Sequence, residues 1–326
     1  MIVFSRSKSA FGALFRLCLL PISSVKKACV LIALLFSTVA NAELESTDPQ
    51  ALLVQMAAAL DHQSYGGTFT YEFGGPLETL VFERRVREQG TRERIRHLSG
   101  ATRDFSRQLP KDYCGNAASR LFLAEEASAL DKLGEHYAFR YLGSNRIADR
   151  HVNLVQVLPK DGARYGFTLG IDKQTHLPLM VTLTGTRGQV LERFQFVQLA
   201  LGPVLDEQVL ASPSQRLPFT QTSCELPTKI SGWQPAWLPE GFVAARVIER
   251  EGQTIISYTD GLASLSVFVM PIRQATGAVG LVQRGATVAA MTMAARGQES
   301  FKVSVVGEVP PPIARKVAAS VRFISL

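Results

Sequence analysis

RYGFTLGIDKQTHLPLMVTLTGTRGQVLERFQFVQL, Arg164 to Leu199, decides the fold. Tyr165, Phe167, Leu169 and Ile171 alternate with smaller residues, the period of a strand with one buried face. DKQTH, closing on Pro178, breaks that run, and Leu179, Val181 and Leu183 restart it. Thr186-Arg187-Gly188 turns the chain again. A third strand follows, with Val190, Glu192, Phe194 and Phe196 on one side and Leu191, Arg193, Gln195 and Val197 on the other. Turns this short join antiparallel neighbours, because a parallel pair needs a long crossover. The reading is an antiparallel meander with two large aromatics, Phe194 and Phe196, that need a cover.

Upstream, Asp48-Pro49 starts a helix: a capping carboxylate, then Pro where no N–H is required. Leu52, Leu53, Met56 and Leu60 mark its apolar face. Gly66-Gly67 opens more sheet, with Phe69, Tyr71 and Phe73 on one side of a strand over Thr68 to Phe73. A hairpin pairs Leu77 to Val86 with Thr91 to Leu98. Ala101 to Leu133 is less regular, with a helix expected over Ala124 to Leu133, and Tyr137 to Leu142 and Arg150 to Leu158 return to strand character.

Downstream the texture changes. Gly202 to Gly232 carries Pro203, Pro213, Pro218 and Pro227 with few periodic apolar residues, and reads as a linker. A second, smaller module starts at Trp233. Val243 to Glu249, Thr254 to Thr259, Leu262 to Met270 and Phe301 to Val306 are expected strands, with Asp260-Gly261 as a hairpin turn. Gln274 to Gly285 reads as loop, Thr287 to Ala295 as strand or helix, and Pro310-Pro311-Pro312 as the start of a short helix. The fold class is α+β. Its expected divisions are 1–42 targeting segment, 43–202 first domain, 203–232 linker and 233–326 second domain.

The formal charge of +7 looks like a signal for nucleic acid. Five of those charges, Arg6, Lys8, Arg16, Lys26 and Lys27, sit in the first 42 residues, which hold no acid; the other 30 bases face 28 acids. The remaining balance of +2 gives no case for a polyanion partner. Lys26-Lys27, the apolar run Ala28 to Val39 and Ala40-Asn41-Ala42 form an export signal with a cleavage pattern. In an oxidising compartment Cys114 and Cys224 are expected to pair. The loop they close, of about 110 residues, is worth about 4–5 kcal/mol in the chain-entropy model.

No GxSxG, HExxH, P-loop or paired-cysteine pattern is present, and no two of the five histidines stand at helical ligand spacing. Neither catalysis, a metal nor a cofactor is expected. The positive clue is aromatic: Phe69, Tyr71, Phe73, Tyr165, Phe167, Phe194 and Phe196 on one sheet. Either the helices cover them as ordinary core, or a bent sheet leaves an apolar cavity for an acyl chain. Arg92, Arg94 and Arg96 carry a second alternative: a solvated strand face interleaved with glutamates, or a basic rim that meets phosphates.

Several stretches resemble the RseB/MucB family. They are QSYGGTFTYEFGG (Gln63 to Gly75), RRVREQGTRERIRHLSG (Arg84 to Gly100), RYGFTLGIDKQTHLPLM (Arg164 to Met180), GQVLERFQFVQL (Gly188 to Leu199), WLPEGF (Trp237 to Phe242), YTDGLASLSVFVMP (Tyr258 to Pro271) and VVGEVPPPIARKVAASVRF (Val305 to Phe323). The resemblance departs most at Ala101 to Leu133, in the linker and at Gln274 to Gly297. It implies a periplasmic negative regulator of the sigma-E envelope-stress response. Such a protein binds the periplasmic region of an RseA/MucA-type anti-sigma factor, shields it from regulated proteolysis, and lets go on sensing lipopolysaccharide or lipid. It implies an N-terminal unclosed antiparallel β-barrel wrapped round helices, like LolA and LolB, and a C-terminal domain that grips the anti-sigma factor. A homo-oligomer fits as well as a monomer. A periplasmic lipid or lipoprotein carrier of the LolA type is the alternative, and an exported hydrolase a third reading.

Overall fold

Asp48 caps the first helix, α1 (Pro49–His62), accepting from the Gln50 amide at 2.9 Å. Leu52, Leu53 and Met56 are buried, the face that the 3.6-residue spacing anticipates. The protein, described by a computed structural model over residues 48–110, 127–202, 214–216, 232–272 and 279–324, is built on two main sheets. Cys114, Cys224, the segment 1–42 and most of 203–232 lie outside the described residues.

The first sheet has ten strands: β1 (Tyr65–Phe73), β2 (Leu77–Arg87), β3 (Gly90–His97), β4 (Asp104–Pro110), β5 (Tyr137–Ile147), β6 (Arg150–Pro159), β7 (Gly166–Asp172), β8 (Pro178–Thr184), β9 (Val190–Leu201) and β10 (Gln215–Arg216). Their order is β10-β4-β3-β2-β1-β9-β8-β7-β6-β5, so the sheet stays open between β10 and β5. Every pair is antiparallel except β10 with β4. The meander β7–β8–β9 sits where the opening stretch predicts. A second helix, α2 (Ala127–His136), runs straight into β5.

The second sheet orders six strands as β12-β13-β14-β17-β16-β15: β12 (Val243–Arg250), β13 (Gln253–Thr259), β14 (Ser264–Ile272), β15 (Gly280–Arg284), β16 (Thr287–Arg296) and β17 (Glu299–Gly307). Helix α3 (Pro311–Ser320) packs Ala314, Val317 and Ala318 on a core of Ile256, Val267, Val303 and Val305. β11 (Gly232–Pro235) and β18 (Val321–Ile324) pair beside it.

Two segments differ from expectation, and a third takes one of its two expected forms. Asp104–Pro110, in the stretch expected to be irregular, is a strand: Phe105 and Leu109 point one way, while Asp104 answers Arg94 of β3 on the other. Gly280–Arg284, taken as loop, is an edge strand, exposed along most of its length, so no alternation was required of it. Thr287–Arg296 is a strand between β15 and β17, with Val288 and Ala290 buried at period two.

The sheets meet at a charged knot. Arg164, fully buried, donates from Nε to Asp260 at 2.5 Å and also reaches Asp161 and the Glu240 carbonyl. Asp260 takes the Tyr137 hydroxyl at 3.0 Å and the Ala263 amide at 2.8 Å. The guanidinium lies over the rings of Tyr137 and Phe242, at 5.7 and 5.2 Å from their centroids. A second junction is lighter: Glu192 of β9 accepts from the Ala286 amide at 2.8 Å.

Candidate functional site

Strand register places one set of side chains on the same face of the large sheet. Phe196 stands opposite Phe69, which stands opposite Leu80, which stands opposite His97. Phe194 faces Tyr71 and then Glu78. Phe82 faces Ile95 and then Phe105. Directly opposed residues share a side of the pleat, so these form one surface. The Phe69 and Phe194 rings lie 4.6 Å apart, Phe194 and Phe196 5.1 Å, and Tyr71 stacks on Phe73 at 5.0 Å. The surface is the wall of a cleft of about 680 Å³, in the usual range for small-ligand sites.

Of the seven expected aromatics, Phe69, Tyr71, Phe73, Phe194 and Phe196 line this cleft. Phe167 shares their face but stands over β7, where α1 lies: it packs in the cluster of Leu53, Met56 and Leu169. Tyr165 is buried at the junction and donates its hydroxyl to the Val309 carbonyl at 3.0 Å. The two alternatives thus divide the sheet between them. Helix α1 covers β5 to β8 as ordinary core and reaches β1 and β9 through Ala59, beside which Phe69, Leu80 and Phe196 are buried, while Tyr71, Phe73, Phe82 and Phe194 stay partly exposed.

Arg92, Arg94 and Arg96 are not the rim. They alternate with Ile95 and His97, so the pleat turns them to the opposite face. There Arg94 is buried and holds Asp104 through a two-pronged contact, with Nε to Oδ1 at 2.8 Å. Glu83 and Arg85 pair on that same face, buried as well.

The polar groups of the cleft come from elsewhere. Glu78 receives His97 at 2.8 Å and Arg103 at 2.9 Å. Arg284, from β15 of the second sheet, lies 4.3 Å over the Phe73 ring. Tyr71 donates its hydroxyl to Glu192 at 2.6 Å, and burial together with that bond pushes the phenol up. Burial, reinforced by the charge of Glu192, raises the Glu308 carboxyl. Tyr65, Phe82, Ile95 and Phe105 complete the apolar wall. The alternation of β2 and β3 could have pointed to Phe82 and Ile95. Nothing local pointed to Arg284, which reaches the cleft from a strand far along the chain.

A second groove, of about 720 Å³, runs between β11–β18 and the β12–β13 turn. Glu249, Glu251, Arg296 and Glu299 stand beside Trp233 and Phe323 there, so its wall is mixed rather than apolar. Among the described residues no cluster of three or more metal-ligating side chains occurs, and no helix is long and apolar enough to cross a membrane.

An open antiparallel sheet with an aromatic cleft, locked by a dry ion pair to a second sheet, defines a two-module binding protein. Comparison with known proteins narrows that class. Residues 48–214 match the family model of the MucB/RseB N-terminal domain and residues 227–322 that of the MucB/RseB C-terminal domain. The sigma factor AlgU regulatory protein MucB of Pseudomonas aeruginosa is 34% identical over 312 residues, covering 90% of this chain and 96% of the relative. The sigma-E factor regulatory protein RseB of Salmonella typhimurium is 26% identical over 317 residues, covering 90% and 96%. A crystal structure of MucB in complex with MucA(peri) superposes with a TM-score of 0.69 at 32% identity, covering 86% of this chain and all of that one. The chain belongs to the MucB/RseB family.

Proposed function

We propose that this protein is a periplasmic regulator of a sigma-E-type stress response, acting by binding and without catalysis. Its partner is the periplasmic region of a membrane anti-sigma factor of the RseA/MucA type, which it protects from regulated proteolysis. The observation that carries this reading is the likeness, over nearly the whole chain, to a MucB seen in complex with MucA(peri). The proposed division is a lipid-sensing domain over 43–202, a linker over 203–232 and a partner-binding domain over 233–326.

The aromatic cleft is the proposed sensor. It takes an acyl chain, from lipopolysaccharide or another lipid, along Phe69, Phe194 and Phe196. Each methylene moved from water onto such a surface contributes about 0.8 kcal/mol. If the lipid-bound form holds the anti-sigma factor less tightly, linkage makes the anti-sigma factor oppose lipid to the same degree. The cleft alone would also suit a carrier. The second sheet, with its enclosed tie at Arg164, favours a regulator over a carrier.

A pulldown of residues 43–326 with the periplasmic segment of a MucA-type protein, with and without lipopolysaccharide, tests both halves. Retention in the absence of lipid and release in its presence are expected. No retention at all overturns the regulator, and retention indifferent to lipid removes the sensor.

A further inference from the structure

The cleft is not uniform along its length. Phe82, Ile95 and Phe196 make one end apolar, while Phe73, Arg103 and Arg284 gather at the end beside the β1–β2 turn. The two arginines differ. Arg103 is answered by Glu78 at 2.9 Å. Arg284 rests on the Phe73 ring at 4.3 Å, and among the described residues no carboxylate comes within ion-pair distance of it. Glu192 is turned to the Ala286 amide and the Tyr71 hydroxyl instead. A guanidinium on a ring face keeps its N–H edge available to a planar or tetrahedral anion.

We propose that Arg284, carried by the second sheet, selects the head group of whatever chain the cleft of the first sheet accepts. The ligand class is an anionic single-chain amphiphile: a phosphate or carboxylate head at Arg284, with the hydrocarbon laid on Phe69, Phe194 and Phe82. This rests on reading the cleft as an acyl-chain site. The site is then shared by both sheets, and the first sheet supplies only the grip on the tail. Charge complementarity decides the occupant, because an apolar wall by itself would accept any hydrocarbon.

The test is titration calorimetry on residues 43–326 with dodecyl phosphate, dodecyl maltoside and inorganic phosphate, the detergents kept below their micelle concentrations. The wild-type chain is expected to bind dodecyl phosphate roughly tenfold or more tightly than dodecyl maltoside, the scale of one charge-assisted contact. Inorganic phosphate alone is expected to bind far more weakly than dodecyl phosphate. Arg284→Gln should erase the preference, and a cooperative thermal melt within a few degrees of wild type shows that the variant is folded. Arg187→Gln, the same charge change on an exposed turn, should keep the preference. A preference that survives Arg284→Gln, or is lost equally in Arg187→Gln, overturns the assignment. Equal binding of both detergents by the wild type overturns head-group selection and leaves the acyl site standing. Binding of neither detergent sinks the acyl site and the assignment with it. Phosphate binding as tight as that of dodecyl phosphate would make this a free-anion site and overturn the amphiphile.

Discussion

Arg164 and Asp260 join the two sheets through an ion pair 2.5 Å long in which neither side chain is exposed at all. Removing one partner of such a pair leaves the other charge buried and unanswered, which costs about 3–5 kcal/mol. Arg164→Ala, which leaves Asp260 without a cation, should lower stability by about that amount in urea denaturation, and Asp260→Ala by less, because Asp161 still answers Arg164. The double variant should lose less than the two single losses added together. Strict additivity would show that the pair does not act as a unit.

Glu308 predicts a pH dependence of definite sign. Burial, with the charge of Glu192 adding to it, raises its carboxyl in the folded protein. A carboxyl with a folded value above its unfolded one holds its proton longer in the fold. Its contribution is therefore favourable in acid and lost as pH rises from the unfolded value through the folded one. Glu308→Gln should raise Tm relative to wild type at pH 7, and the gain should shrink as pH falls through that window. Thermal melts at several pH values check this, and a gain that grows toward acid would contradict it.

Asp172 works the other way. Burial opposes its charge, but Arg150 at 2.8 Å and Thr175 hold it below the ordinary carboxylate value. Stability from this group is present above the unfolded value and disappears as pH falls through the folded one. Asp172→Asn should destabilise at pH 7, by about 1–3 kcal/mol for a charged hydrogen-bonded group, and the variant should converge on wild type in strong acid.

Gly67 has φ of +154°, and a Cβ there would stand 1.9 Å from the Gln198 carbonyl oxygen. Backbone, not a flexible side chain, is in the way, at the irregularity where β1 and β9 shift register. Gly67→Ala should cost about 2 kcal/mol or more and open the β1–β9 pairing. Hydrogen exchange at Gln198 and Leu199 would report it.

The division of the aromatic face is testable with two phenylalanines. Phe194→Glu places a carboxylate in the cleft and should weaken dodecyl maltoside binding about tenfold or more, with little loss of Tm. Phe167→Ala, under α1, should leave that binding alone and lower stability by about 3 kcal/mol, the low end for a phenylalanine truncation because the ring is only partly buried. Effects exchanged between the two would reverse the assignment of covered and open sheet.

Much of this fold is legible in the chain because most strands are half-buried and alternate at period two. Leu179, Val181 and Leu183 announce β8, and Phe69, Tyr71 and Phe73 announce β1. β15 stayed hidden because an exposed edge strand buries neither face and leaves no pattern. β4 stayed hidden because Asp104 serves Arg94 on the far face and Arg107 serves Glu93 on the near one, which dilutes its hydrophobic signal. The cleft was half legible: five of its aromatics share one parity. Whether α1 covers Phe167 or Phe194 depends on where the helix lies across the sheet, which periodicity does not encode. The placement of Arg92, Arg94 and Arg96 was within reach, since Ile95 between them already claims the apolar side.

The enclosure of Arg164 also decides how the two halves can shift. Drawing that guanidinium out leaves the Asp260 carboxylate buried without its partner, a loss of several kcal/mol. Opening the other end lifts Arg284 off Phe73, which gives up about 0.5–1 kcal/mol, and breaks the Glu192–Ala286 hydrogen bond, about 1.5–3 kcal/mol for a charged acceptor. One contact behaves as a hinge pin and the other as a door latch. A swing of the rear sheet about the first contact would open the second, and that movement would widen the mouth of the cleft.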